Sequence, residues 1–481
     1  MSNSKLTKKF SYLFTSLIFL STNGYSLSID EYLKQVTANN DEFTAAKLLA
    51  EAGFRRSEEG FLVLSPNLVG GAHYTKDAQP PISDLFPNAK NVSKTYQVGV
   101  AKKFTTGTNV KLSYDNYHTE NIYPPNPTSP DSPVPPKVKY WTVKPNLSIE
   151  QPLLRNWLGA ETKALVQAKN AQALAEGHRN NFNKKKILAE AESAYWDLAT
   201  IQENIAIKKD SVKRSSKLVE WAERRSKLGL GNDSDYLQAK SSHDQRKFEL
   251  ESLLDQQKAV ARLFNAFRTI PSSESPNDLV SFKKLNIAQL KKHTQIPKIV
   301  REDLAAQYQV YLANKAQAEI SKQSIAPDVN LNMQYFPSGR DKYYGDTARQ
   351  ALNRKHNNYS VGVNFSVPLD RKLVTDLNNS YQAQSRAALL EYTRKKFELT
   401  NEWQRLVEQF NLYVNQLHIA ETMVKTQDSK LKNEEDLLKN GRTTTFQTLQ
   451  FEDDYFNAQA QYLDTKNKLL KLTTMMKLFN T

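Results

Sequence analysis

Apolar positions along the chain follow two different periods. From Ile187, the residues Ala191, Ala194, Leu198, Ile201, Ile205, Val212, Val219 and Ala222 recur on alternating steps of three and four, interrupted by Lys208, Ser215 and Ser226. From Leu399, the residues Trp403, Leu406, Phe410, Tyr413, Leu417, Ala420, Val424, Leu431 and Leu438 do the same, interrupted by Gln427 and Glu434. Ile187 corresponds to Leu399 and Ser226 to Leu438 without a gap, and the register continues through Gly229 and Gly441 to Leu237 and Leu449. A heptad seam of this length packs as a coiled coil, and its recurrence at constant offset marks an internal repeat. Each seam stops at a glycine and a short polar run, Gly229-Leu230-Gly231-Asn232-Asp233 and Gly441-Arg442-Thr443-Thr444-Thr445, before a helical pattern resumes. That spacing predicts a tight helical hairpin at each place, with glycine free to take positive φ at the stop.

Ahead of each seam the period drops to two, as a half-buried strand requires. Val329, Leu331, Met333 and Tyr335 alternate with Asn330, Asn332 and Gln334; Tyr359, Val361, Val363, Phe365 and Val367 alternate with Ser360, Gly362, Asn364 and Ser366. In the first cycle, Leu68 to Tyr74 and Trp141 to Ile149 play this part. A further pair, Tyr96 to Phe104 and Val110 to Tyr117, flanks the hairpin turn Thr105-Thr106-Gly107-Thr108-Asn109 and has no counterpart in the second cycle. It either adds wall strands or forms a flap; the pattern alone leaves both open.

Proline placement agrees with this division. All 19 prolines lie from Pro66 to Pro152 or from Pro271 to Pro368. An interior proline costs a helix about 3 kcal/mol, so the two proline-free stretches are available for long helices. The helix from residue 160 to 228 would run about 104 Å, whereas its return arm, 233–268, spans about 54 Å. The missing partner is expected in Ile29 to Phe61, stacked end to end with the return arm. Lys298 to Ile325 and Phe446 to Phe479 are expected to do the same beside the second long helix.

Chemistry narrows the function. With Cys 0, the chain has no disulfide framework, thiolate zinc site, catalytic cysteine or lipid-modified N-terminal cysteine. The seven histidines form no metal-ligand spacing, and no phosphate loop, dinucleotide fingerprint or nucleophile motif is present, so the reading is of a non-enzyme without cofactor or metal. Residues 1–26, with Lys5, Lys8 and Lys9 before the apolar run Phe10 to Leu20 and a small-residue exit at Ser26, read as a secretory signal peptide. The net charge of +15 comes in short runs spread along helical faces, which argues against a nucleic-acid partner. Residues 75–95 and 119–138 are long and polar while 105–109 is short, the asymmetry of a transmembrane barrel. No stretch after the signal is long enough for a membrane helix, so any spanning portion must be β, with several copies sharing one barrel. The alternative from the same pattern is an exported structural or adaptor-like coiled-coil protein with a soluble β-domain and no pore.

Signal, strand pair, long helix, glycine-stopped hairpin and return helix, performed twice, resemble the TolC-like outer-membrane efflux and secretion channels. The resemblance covers nearly all of the mature chain. Ser65-Pro66-Asn67-Leu68 and Ala326-Pro327-Asp328-Val329 resemble the family's proline where the strands begin, and Gln151-Pro152-Leu153 and Val367-Pro368-Leu369 its strand-to-helix junctions. It implies a mainly α chain with a transmembrane β portion: a homotrimer whose twelve-stranded barrel sits in outer-membrane lipid, continuous with a periplasmic helical barrel. The implied partners are a periplasmic adaptor and an inner-membrane pump or transporter, docking at tips formed by Gly229, Gly231, Asp235, Gly441, Arg442, Gln447 and Gln450. On this plan, 1–26 is the signal, 27–270 the first repeat (strands 66–150, helical hairpin 153–270), 271–297 a linker and 298–481 the second repeat (strands 327–367, helical hairpin 369–479). Where the family often carries acidic residues after the second tip glycine, this chain has Gln447 and Gln450, so any acidic ring falls to Asp235. The expectation is weak cation selectivity that Asp235→Asn abolishes in single-channel reversal potentials; strong selectivity unaffected by the change would contradict it.

Overall fold

The computed structural model describes residues 27–78, 90–123, 137–276, 279 and 301–479. The expected signal peptide and most of the expected linker lie outside the described residues. Helix α1 (Ile29–Asn39) and α2 (Asp41–Arg55) are followed by a 3-10 segment, Arg56–Leu64. Strands β1 (Asn67–Asp77), β2 (Lys90–Lys103), β3 (Asn109–Ile122) and β4 (Lys137–Pro152) lead to α3 (Ala160–Lys227) and α4 (Asp233–Ala266). Then come α5 (Glu302–Ile325), β5 (Asp328–Tyr335), β6 (Gly339–Asp341), α6 (Tyr344–Leu352), β7 (Tyr359–Ser366), α7 (Arg371–Lys439) and α8 (Thr445–Lys477). The seams therefore sit on helices of 68 and 69 residues.

The described residues form two compact units. One draws on the described residues up to Asn40, those from Glu190 to Leu279 and Phe410–Thr474; the other on those from Asp41 to Ala189, Arg301 to Gln409 and Met475 to Phe479. In the first unit, α1 packs beside the last turns of α4. The Tyr32 ring stacks on Phe264 at 4.2 Å, its hydroxyl donates to the Phe264 carbonyl, and Asn40 Nδ2 donates to the Phe267 carbonyl. Tyr195 of α3 closes the cluster, with its hydroxyl on the Leu27 carbonyl. The helical segment expected from Ile29 to Phe61 is thus interrupted at Asn40, whose backbone is extended, and α1 packs alongside the end of the return arm.

In the first unit four of the polar interruptions of the seams find partners. Lys208 is buried, pairs with Glu249 of α4 and lies 3.4 Å over the Phe456 ring of α8. Ser215 meets His243 Nδ1 at 2.8 Å, Ser226 donates to Asp233, and Glu434 accepts from Thr443. Each of these four breaks joins a long helix to its return arm or tip, which satisfies a group that would otherwise be costly to bury.

In the second unit, α2 and α3 approach backbone to backbone: a Cβ on Gly53 would stand 2.4 Å from the Gly177 nitrogen. At the start of α5, the Arg301 guanidinium lies over the Phe182 and Phe479 rings, at 5.0 and 4.6 Å, and forks onto Asp303. Phe479 is therefore held against the start of α5.

The sheet belongs to this unit and is antiparallel throughout, in the order β1-β2-β3-β4-β5-β7, with β6 on β4. Strands run further than the alternating segments alone indicated, because polar ends such as Thr75 to Asp77 and Asn91 to Ser93 pair with one another. Leu147 faces Tyr335 and Val143 faces Gly339, so β5 and β6 share one register. The gap between them is where Pro337 falls opposite Pro145, and neither has an N–H to give. The Tyr96–Tyr117 hairpin lies inside the sheet.

Pro152 ends β4, but α3 starts only at Ala160. The intervening residues Asn156, Leu158 and Gly159 have φ of 60°, 49° and 77°. Asn156 caps α3 by accepting from the Thr162 amide and donating to its hydroxyl. The second junction is shorter, from Pro368 directly to Arg371. The longer one accommodates the β2–β3 turn: a Cβ on Gly159 would stand 1.7 Å from the Thr105 carbonyl oxygen. Gly159→Ala adds this clash to an unfavourable φ and is expected to cost about 2 kcal/mol or more in thermal unfolding. Gly362→Ala, which meets nothing within 4 Å, is the near-neutral control.

Candidate functional site

The two hairpin tips are built alike. Gly229 and Gly441 both adopt φ of 69°. The Gly229 amide bonds the Ser226 carbonyl and Leu230 the Arg225 carbonyl; Gly441 bonds Leu438 and Arg442 bonds Leu437. This is the paired closure of a Schellman motif, and it turns each chain sharply after a heptad helix. At the second tip, the Thr444 hydroxyl accepts from the Gln447 amide at 3.2 Å and so caps α8.

The tips meet. Arg225 Nη2 donates to the Leu230 carbonyl at 2.8 Å, its guanidinium covers the Trp221 ring at 4.8 Å, and Nη1 comes within 3.9 Å of a Cβ built on Gly441. Asp235, Gly229 and Gly231 line a groove with Trp221 and Thr443 to Thr445. Arg442, Gln447 and Gln450 stand exposed outside it. Leu228, Leu230 and Leu237 are exposed at the first tip and Phe446 at the second, whereas Leu449 is buried. The two expected seam leucines after the glycines therefore differ: only the second is core.

The sheet is two-faced. Residues directly opposite one another share a face, and the row Leu68–Val100–Leu112–Leu147–Tyr335–Tyr359 crosses all six strands of the main path. These side chains are exposed, Leu68 and Tyr359 by 81 % each. Val361, Val363 and Phe365 extend the exposed apolar face along β7. One residue over, the row Asn67–Ala101–Lys111–Ser148–Gln334–Ser360 is polar. Ser113, Asp115, Thr119 and Thr142 on that polar face are buried, with Gln97 donating to Asp115 at 2.7 Å. The arrangement is inverted relative to a water-soluble sheet: apart from the buried Val143 the greasy side is largely bare, while the polar side is buried at β3 and β4 and open at β1 and β7.

No family model and no curated protein matches the sequence. Solved structures match along almost the whole chain. The outer membrane protein VceC from Vibrio cholerae is 15% identical, over 94% of this chain and 95% of that one, with a TM-score of 0.65. The outer-membrane channel OprN is 14% identical, over 94% and 90%, at 0.63, and the CmeC outer membrane channel of Campylobacter jejuni 11% identical, over 100% and 93%, at 0.61. The chain has the fold of the TolC-like outer-membrane channels.

Within this channel fold, sequence reasoning missed the charged groups that lock the hairpins of the first unit. Arg246 of α4 and Glu452 of α8 are 2% and 1% exposed and paired, with Asp453 on the same guanidinium at 2.8 Å and Arg214 of α3 on Glu452 at 3.3 Å. Their signal was hidden because Glu452-Asp453-Asp454 reads as a solvated run. Arg225 was missed too, though it stands just ahead of a tip glycine. Among the described residues no group of three or more His, Cys, Asp or Glu is placed to hold a metal ion, and no helix is long and apolar enough to cross a membrane. Arg246→Met leaves Glu452 buried without its main partner and should destabilise the protein by about 3–5 kcal/mol, most of it regained in the Arg246→Met, Glu452→Gln double variant. Thermal unfolding of the purified proteins checks both.

Proposed function

We propose that the protein is an outer-membrane channel, the passive exit duct of a tripartite efflux pump or type I secretion system. The observation that carries this reading is the two-faced sheet. Its largely bare apolar face suits lipid and its polar face, buried at β3 and β4, suits an aqueous lumen, while among the described residues the outer edges of β1 and β7 have no strand partner. Closure by the edges of further copies satisfies them, and a homotrimer is the assembly that the shared fold favours.

The helical hairpins then lie on the periplasmic side. The tips are the entrance, where Asp235 faces a groove and the exposed Leu228, Leu230, Leu237 and Phe446 offer an apolar surface to a periplasmic adaptor and an inner-membrane pump. Docking there opens the entrance, and no reaction is catalysed. The alternating strands and duplicated hairpins are read as two structural repeats, 27–270 and 298–481.

Fractionation followed by planar-bilayer recording tests the proposal. Detergent-resistant trimers in the outer membrane that give discrete conductance steps are the expected result. A protein released with the soluble periplasm, or membrane trimers without conductance, would overturn it.

A further inference from the structure

We infer that the β2–β3 hairpin is part of the channel wall and widens the exit, so that the pore accepts larger cargo than a wall of four strands per copy would allow. This rests on the trimeric reading above. Three observations carry it. The hairpin is paired on both sides, from Asn67–Ala101 through Asp77–Asn91 with β1, all but the ends of β2, and along the whole of β3 from Asn109–Glu150 through Ile122–Lys137 with β4. A flap folded over the sheet's end would leave β1 and β4 to pair with each other; here the hairpin separates them.

The hairpin also shares the wall's chemistry. Tyr96, Val98 and Val100 on β2 and Leu112 on β3 are exposed on the apolar face, while Gln97, Ala101 and Lys111 fall on the polar one. A flap surrounded by water has no reason to carry a continuous greasy row in register with the neighbouring strands.

Finally, the turn is anchored at the strand-to-helix junction. A Cβ on Gly107 would stand 2.6 Å from Asn156 Nδ2, and Thr108 bonds Gln151. The hairpin therefore traverses the wall down to the end where the helices begin.

Three copies of the six-strand path give eighteen strands in place of twelve. With strands about 4.8 Å apart and tilted by about 40°, the backbone radius rises from about 12 Å to about 18 Å. The added cross-section admits bulky hydrophilic cargo, such as polypeptide segments, through the lumen.

The natural absence of cysteine makes the test clean. Val98→Cys, Val100→Cys and Leu112→Cys in trimers reconstituted in vesicles should resist a water-soluble maleimide and react with a lipid-phase one, as Val361→Cys does on β7. Lys111→Cys should react with the water-soluble reagent. Water labelling of Val98→Cys and Val100→Cys with Val361→Cys protected overturns the wall assignment alone, whereas water labelling of Val361→Cys as well overturns the membrane reading beneath it. In bilayers, polyethylene glycol of radius about 10 Å should enter the wild-type pore and be excluded after removal of residues 90–122. Exclusion of that polymer by a conducting wild-type trimer also overturns the inference.

Discussion

The rest of the structure depends on where the sheet puts its apolar side. Six strands present Leu68, Val100, Leu112, Leu147, Tyr335 and Tyr359 to the outside in one row, with no helix layer over most of that face. At roughly 25 cal/mol per Å2 of apolar surface, leaving such a face in water is unfavourable, and lipid removes the penalty. The proposed closure of the sheet by further copies rests on that single inversion.

The helices answer a different demand. Helices of 68 and 69 residues need a regular seam, and a seam this regular tolerates sliding unless something fixes its register. The polar interruptions do so. Lys208 with Glu249, Ser215 with His243 and Ser226 with Asp233 each match one position on a long helix to one on its return arm. Burial holds the His243 imidazole below its ordinary pKa, with Lys247 adding to the effect, so the fold favours its neutral form, able to hydrogen-bond with Ser215. The buried Arg246–Glu452 pair extends the same device to α8.

Much of this was legible in the sequence because the determining forces are periodic and local. Heptads reported the long helices, glycines that must take positive φ reported the tips, and alternation located every strand except β6. The rest depended on partners distant in sequence. The α1–α2 break follows from Asn40 reaching the Phe267 carbonyl, and β6 and α6, at three and nine residues, are too short for a period to stand out. Gly339 lies under α6, where an added Cβ would stand 2.0 Å from the Thr347 carbonyl oxygen, a constraint invisible without the fold. Pro145 would ordinarily demote a central strand, yet it is accommodated because Pro337 stands across from it. That the extra hairpin lies within the sheet also had to wait for its strand partners.

The central claim is that copies of this chain close the sheet through β1 and β7. The most direct measurement is disulfide trapping in the cysteine-free background, with Gly70→Cys on β1 combined in turn with Val361→Cys, Val363→Cys and Phe365→Cys on β7. The account predicts that one pairing yields a covalent ladder ending at three copies on a denaturing gel. Folded protein that gives no intermolecular bond at any of these positions would contradict it.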